Sequence, residues 1–104
     1  MNHWTDAEKK AQGHGHSIFV DIGRERRPED PNYYNLSESN TMSKRHARIF
    51  WDPLHEGFYI ENLSKNKITV DYDEVSLKEE PKKLTNMALI VIAKVRFYFL
   101  LPFQ

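Results

Sequence analysis

The feature that most limits the possible folds is a pair of short alternating segments separated by a brief linker. Residues 46–51 (HARIFW) and 57–61 (GFYIE) carry apolar side chains at every second position, which is the period of a strand with one buried face. Residues 52–56 contain turn-forming Asp and Pro and have the length of a hairpin connection. The sequence therefore predicts an antiparallel hairpin. Its buried row consists of Ala47, Ile49, Trp51, Phe58 and Ile60.

Further short apolar segments predict additional strands. Many short strands with turns between them are typical of a β-sandwich or barrel. We therefore predict an all-β fold, a twisted two-sheet antiparallel sandwich over residues 17–104, preceded by a flexible N-terminal arm at residues 1–16. Residues 24–31 contain two prolines and predict an irregular loop. The additional strands are expected at residues 17–22, 33–36 and 67–71, with two more inside 84–101 that separate near Lys94.

Composition limits the classes of function. A chain of 104 residues has the size of one domain. Fifteen basic residues balance fifteen acidic ones, so no overall field attracts nucleic acid or an anionic membrane, and any anion site must be local. The absence of cysteine excludes a thiolate nucleophile and a cysteine zinc site. The polar start lacks a secretory signal, and the apolar stretch 87–103 is shorter than the roughly 20 residues of a spanning helix, so we expect an intracellular protein without membrane contact.

Three short segments at predicted strand ends combine residue types that bind anions. They are Gly23-Arg24, Ser43-Lys44-Arg45-His46 and residues 62–66 (NLSKN). Arginine offers a planar fork of donors that matches phosphate oxygens, serine adds a hydroxyl donor, lysine adds a point charge, and an asparagine amide can pair with a peptide main chain. Loops at one end of a sandwich can converge on one site. The sequence therefore predicts a local anion-binding site.

The order and spacing of these segments resemble the forkhead-associated (FHA) domain. That family carries Gly-Arg at the end of a strand, Ser-x-x-His before a strand and an Asn-Leu-Ser-x-Asn turn. The resemblance runs from about Ile18 to Pro102, and SKRHARIFWD and FYFLLP look most like the FHA domains of fungal and plant forkhead-type transcription regulators. It implies a β-sandwich adaptor that binds a phosphothreonine-containing partner protein in nuclear signalling or transcription regulation, has no enzymatic activity and needs no cofactor or metal.

The resemblance also implies roles for individual residues on the first two segments. Arg24 would hold its loop and contact the phosphate or the phosphopeptide, and Ser43 would donate to a phosphate oxygen. The position after the serine often adds a phosphate contact in the family. Lys44 is therefore the favoured additional ligand, with Arg45 as a secondary one.

The third segment is expected to contact the peptide beside the phosphate. Asn66 matches the asparagine that binds the peptide main chain, with Lys65 at a neighbouring position that also faces the ligand. Gly23 and His46 would support the loops from within. Lys67 stands where the family usually has a glycine; because glycine adopts positive φ without steric cost, we expect a strained or altered turn there.

Two further departures from the family concern the fold. Asn86-Met87 and Ile92-Ala93 replace pairs that usually contain a turn glycine, which predicts a looser structure around the last strands. The apolar first strand of the family is replaced by the polar residues 4–17, which predicts a degenerate strand or an exposed sheet edge.

Other functions remain as alternatives. The chain could be a degenerate FHA scaffold that has lost phosphopeptide binding and mediates phosphate-independent protein interaction. It could also be a nucleic-acid module, because RERR and SKRHAR are basic and aromatic residues lie near them, although zero net charge disfavours this and we expect no direct DNA binding. His14 and His16 could pair on a metal but lack an acidic partner. No nucleophile elbow, P-loop or dinucleotide motif indicates an enzyme, and we expect a monomer.

Overall fold

The computed structural model describes residues 18–102, and all regular structure in this range is β-strand. The N-terminal arm, Ser17, His14 and His16 lie outside the described residues. This range contains no helix long and apolar enough to cross a membrane. Its strands are β1 (Phe19–Gly23), β2 (Tyr33–Asn35), β3 (Ala47–Asp52), β4 (Gly57–Asn62), β5 (Ile68–Val70), β6 (Asp73–Val75), β7 (Lys82–Lys83), β8 (Ala88–Ile92) and β9 (Val95–Phe99).

The strands form two sheets, which confirms the predicted all-β sandwich. One sheet has the order β2-β1-β3-β4-β7 and the other has the order β6-β5-β8-β9. Neighbouring strands are antiparallel except β1 and β2, which are parallel with Asp21 opposite Tyr33. The loop between these two strands crosses back to the end of the sheet at which β1 begins, where the Asp21 amide donates to the Asn32 carbonyl at 2.8 Å.

The predicted hairpin is present as β3 and β4. Ile49 lies opposite Ile60, and both side chains are buried in the core between the sheets. The opposite face of this hairpin is also covered, since Phe50 and Tyr59 are 0% and 1% exposed and their rings stack with centroids 6.1 Å apart. A period of two identifies the inward row correctly, but it does not reveal that the outer row is buried as well.

The last two predicted strands are β8 and β9, and they separate at Ala93-Lys94 as expected. Both turn residues have positive φ, 48° and 71°, as in the two-residue type I′ turn that suits the twist of a hairpin. The sequence did not predict β6 and β7. Both are short edge strands of mainly charged residues, so neither carries an alternating apolar pattern.

The expected strain at Lys67 is wrong, because Lys67 is not among the described residues with positive φ. Positive φ does occur in both of the other pairs that replace glycine-containing pairs. Met87 has φ 68° and Ala93 has φ 48°, and a side chain pays a steric cost in this left-handed region.

Candidate functional site

The three anion-directed segments meet at one end of the sandwich. The Arg24 amide donates to the Ser43 carbonyl at 3.0 Å, which joins the end of β1 to the loop between β2 and β3. The Leu63 amide donates to the His46 carbonyl at 2.9 Å, which joins that loop to the one between β4 and β5. Main-chain hydrogen bonds therefore hold the three segments together independently of their side chains.

Gly23 allows the closest approach in this region. A Cβ placed on Gly23 would overlap the carbonyl oxygen of Lys44 and would come within 2.9 Å of the Tyr33 hydroxyl. That hydroxyl donates to the same carbonyl at 2.7 Å, and burial raises the pKa of Tyr33. A glycine is therefore required at position 23 because the main chain of Lys44 lies so close to it. Its backbone conformation is not the reason, since no described glycine has positive φ.

Arg24 is partly buried and held from two sides. Its Nε donates to the Met42 carbonyl at 2.9 Å, and the Asn35 amide donates to the Arg24 carbonyl at 3.0 Å. Met42 is itself buried in the core, which anchors the loop that receives the arginine. The side chain is therefore fixed close to Ser43 before any ligand arrives.

The loop after β4 folds through its own side chains. Asn62 Oδ1 accepts the Ser64 amide at 2.8 Å, and Ser64 Oγ accepts the Asn66 amide at 3.0 Å. These are the Asx and Ser turns that a polar residue forms with the main chain two positions ahead. The buried Asn62 amide also donates to the carbonyls of Asn66 and Val75. The side chains of residues 62–66 thus fix the conformation of this loop, and the bond from Asn62 to the Val75 carbonyl attaches the loop to β6.

Ser43 and Ser64 are in direct contact across the site. Their hydroxyl oxygens lie 2.6 Å apart, which is a short hydrogen bond between two neutral groups. Ser64 is almost fully buried, while Ser43 is partly exposed. Of the two hydroxyls, Ser43 is therefore the one that an incoming ligand can reach.

His46 lies beneath both loops and is fully buried. Its Nδ1 accepts the Ser43 amide at 3.1 Å, and its Nε2 lies 3.1 Å from the Asn66 carbonyl. Because an acceptor nitrogen carries no proton, the ring must be neutral and protonated on Nε2. Burial lowers the pKa of His46, partly offset by its bond to the Asn66 carbonyl, so this neutral form is the stable one.

Asn66, Lys44 and Lys65 form the exposed border of the site. The Asn66 amide donates to the Thr41 carbonyl at 3.3 Å, which leaves its Oδ1 without a donor among residues 18–102. Lys44 directly follows Ser43, and Lys65 directly follows Ser64. The two lysines therefore flank the serine pair from opposite loops.

Arg45 is engaged elsewhere, in an ion-pair network with a buried carboxylate. It contacts Asp21, which Arg48 also binds through Nε at 2.7 Å. The Arg45 guanidinium lies 5.5 Å from the centre of the Tyr33 ring and 3.8 Å from Asp30. The hydrogen bonds to Asp21 raise the pKa of Arg48. A phosphate contact by Arg45 stays a prediction, and it would compete with this network.

The cations of the site are not paired with carboxylates. Within residues 18–102, no carboxylate oxygen lies within 4.0 Å of Arg24, Lys44 or Lys65. By contrast, Arg26 is paired with Glu38, and Lys67 is paired with Glu74. Cations without nearby carboxylates around hydroxyl donors attract an anion such as a phosphate. No group of three potential metal ligands occurs in the same range.

Three residues shape the site although the sequence predicts no individual role for them. They are Asn35, which bonds to the Arg24 carbonyl, Asn62, which accepts the Ser64 amide, and Ser64, which contacts Ser43. The Asn-x-Ser-x-Asn spacing is a signal for consecutive side-chain turns and could have identified the last two. Asn35 acts across a parallel strand pair, for which the local sequence gives no signal.

Comparison with known proteins agrees with this architecture. The family model of the FHA domain matches residues 20–93. The chain is 32% identical over 87 residues to the transcriptional activator FHA1 of Nicotiana tabacum and 33% identical over 88 residues to the FHA domain-containing protein FHA2 of Arabidopsis thaliana. Each match covers 84% of this chain but only 42% and 27% of the relative, so the chain spans less than half of these proteins.

A solved structure has the same fold. It is the FHA-2 domain of the Mycobacterium tuberculosis ABC transporter Rv1747, with a TM-score of 0.58 and 19% identity. The similarity covers 95% of this chain and 76% of that domain structure.

Proposed function

Because the chain belongs to the FHA domain family, we propose that it binds a phosphothreonine-containing segment of a partner protein through the loops that carry Arg24, Ser43 and Asn66. Domains of this family are protein-interaction modules that bind phosphorylated partners. The choice of phosphothreonine and the assignment of ligand residues are our proposal for this chain.

The observation that carries the proposal is the contact between the Ser43 and Ser64 hydroxyls on loops that also carry unpaired cations. The hydroxyls are 2.6 Å apart, an exposed lysine directly follows each serine, and Arg24 Nε donates to the Met42 carbonyl next to Ser43. Arg24, Lys44 and Lys65 have no carboxylate partner among the described residues. A phosphate ester carries about −1.5 to −2 charge and three acceptor oxygens. Ser43 and the three cations provide donors of the kind that such a group requires.

The proposed role of each side chain follows from the hydrogen-bond donors and acceptors that it does not use within the domain. The Arg24 Nε is used by Met42, so its terminal amino groups would face the phosphate. Asn66 donates one bond to Thr41, so its Oδ1 would accept a main-chain amide of the peptide. Three or four charge-assisted bonds of roughly 1.5–3 kcal/mol each, less the cost of ordering the peptide, correspond to an affinity on the order of micromolar.

The chain would act as an adaptor in the nucleus without catalysing a reaction. The name of the tobacco relative, a transcriptional activator, supports a role in transcription. The balanced net charge supports a protein partner over direct binding to DNA. The alternative is a degenerate scaffold that mediates phosphate-independent interaction, for which Lys67 and the degenerate first strand were the two reasons. Of these, Lys67 is not among the described residues with positive φ.

The test is fluorescence anisotropy with a phosphothreonine peptide library and unphosphorylated controls. We expect phosphate-dependent binding that Arg24→Ala abolishes. Arg26→Ala is the matched control, because Arg26 is exposed and paired with Glu38 at 3.5 Å; its affinity should stay within about twofold of the wild type. Equal loss in both variants would indicate a general charge effect and contradict the proposed site.

A further inference from the structure

Strand β9 ends its sheet with an unpaired edge among residues 18–102, where β8 is its only neighbour. The other sheet edges in this range differ from it. Strand β2 has three residues, β6 has three with Asp73 and Glu74 exposed, and β7 consists of Lys82 and Lys83. Short length and charge are the usual protection against pairing with another chain. Strand β9 has five residues and only one of them is charged.

The register defines which groups of β9 face this edge. Ala93 and Lys94 form a two-residue turn, so Ile92 and Val95 are the hydrogen-bonded pair that flanks it. Bonding then alternates along the hairpin, and the main-chain groups of Arg96 and Tyr98 point away from β8. The open edge therefore offers a donor and an acceptor on each of these two residues.

The side chains of β9 form two rows. Val95, Phe97 and Phe99 pack against the core but are only partly buried. Arg96 and Tyr98 lie on the outer face, where Tyr98 is 60% exposed. An added strand with the same alternation would extend both rows, covering the aromatic core residues on the inner side.

We propose that β9 pairs with β9 of a second copy, antiparallel and centred on Phe97, to form a symmetric dimer. In this register Arg96 of one copy lies opposite Tyr98 of the other. These are the residues whose main-chain groups are open, so each pair exchanges both hydrogen bonds. Phe97 meets its own counterpart on the inner face, and the interface contains the same contacts twice, as two-fold symmetry requires.

In the proposed register the exposed side chains of β9 match those of a second copy. Residues 88–102 contain Lys94 and Arg96 and no acidic residue, yet the proposed register keeps the two Arg96 side chains apart. Each guanidinium instead meets an exposed tyrosine ring, which is a favourable cation–π arrangement, while like charges in direct opposition would be unfavourable. The dimer goes beyond the proposed phosphopeptide binding and would replace the monomer expected from the sequence.

Sedimentation velocity of the full chain over a range of concentrations tests the proposal. The wild type should show a concentration-dependent dimer. Tyr98→Arg places arginine opposite Arg96 twice, so we expect dimerisation to weaken at least about tenfold. Adding Arg96→Glu to this variant places a glutamate opposite each new arginine and should restore the dimer. Both positions are exposed, and circular dichroism with urea unfolding would verify that all variants are folded.

Three outcomes would overturn the proposal. They are a wild type that stays monomeric at every concentration, a Tyr98→Arg variant that dimerises as the wild type does, and a double variant that remains monomeric. A double variant that remains monomeric would exclude this register. In a ladder centred on Tyr98, for example, the two new arginines would face each other, and Arg96→Glu would not restore the dimer. Phosphopeptide affinity of the Tyr98→Arg variant should be unchanged, which separates this surface from the binding site.

Discussion

The hydroxyl oxygens of Ser43 and Ser64 lie 2.6 Å apart and connect two loops separated by 21 residues in sequence. Ser64 Oγ also accepts the Asn66 amide at 3.0 Å. A hydroxyl has one proton and two acceptor lone pairs. When Ser43 donates its proton to an anion, Ser64 must therefore be the donor in the bond between them. Ser64 would orient the binding hydroxyl without touching the ligand.

We expect Ser64→Ala to weaken phosphopeptide binding about tenfold, equivalent to about 1.4 kcal/mol. The reason is that Ser43 loses the donor that fixes its orientation and the Asn66 amide loses its acceptor. Fluorescence anisotropy measures the change. Ser76→Ala is the control, since the Ser76 side chain makes no described hydrogen bond at this site, and its affinity should match the wild type. Equal affinities of all three proteins would exclude a positioning role.

The close approach at Gly23 predicts a large difference between two glycine substitutions. Gly23→Ala must displace the main chain at Lys44, so we expect a loss of at least about 2 kcal/mol in the free energy of unfolding. In Gly57→Ala the nearest atom is Lys83 Cε at 3.1 Å, the flexible end of a side chain, so the loss should stay below about 1 kcal/mol. Urea denaturation of both variants would measure these values, and similar losses would contradict the proximity argument.

The parts of the fold that could be predicted are those in which one strand carries its own signal. Strands β3 and β4 alternate over six residues each, so their pairing and inward row could be read directly. The burial of Phe50 and Tyr59 could not, because a period of two cannot tell a solvent-exposed outer face from a covered one. Short charged strands such as β6 form because a neighbouring strand provides main-chain hydrogen-bond partners. No local sequence pattern shows where this will happen.

The candidate site shows the same division. Its three segments could be located because each combines donors and cations within a few residues. The partner of Arg45 could not be predicted, since Asp21 is 24 residues away and meets it only through the register of β1 against β3. That register also places Asp21 directly opposite Arg48. Side chains that look equivalent in SKRH therefore separate into exposed Lys44 and ion-paired Arg45.

The buried neutral His46 predicts that stability falls at acid pH. Burial lowers the pKa of His46 in the folded state, whereas an unfolded histidine titrates near about 6.5. The folded state thus binds fewer protons, and stability is lost as the pH falls below about 6.5. Urea midpoints of the wild type and His46→Gln between about pH 5 and 8 would test this. The wild type should lose more stability than the variant, and parallel curves would show that His46 does not contribute.

The turn between β5 and β6 predicts a stabilising substitution. Asp71 and Tyr72 both have positive φ, 50° and 72°, the type I′ geometry for which Asp-Gly is a preferred sequence. Tyr72 is 82% exposed, so removing its ring costs little packing. Tyr72→Gly should raise the free energy of unfolding by about 1 kcal/mol because glycine avoids the Cβ clash of the left-handed region. Tyr72→Ala keeps that clash and should give no gain, so equal stabilisation by both substitutions in urea denaturation would contradict the explanation.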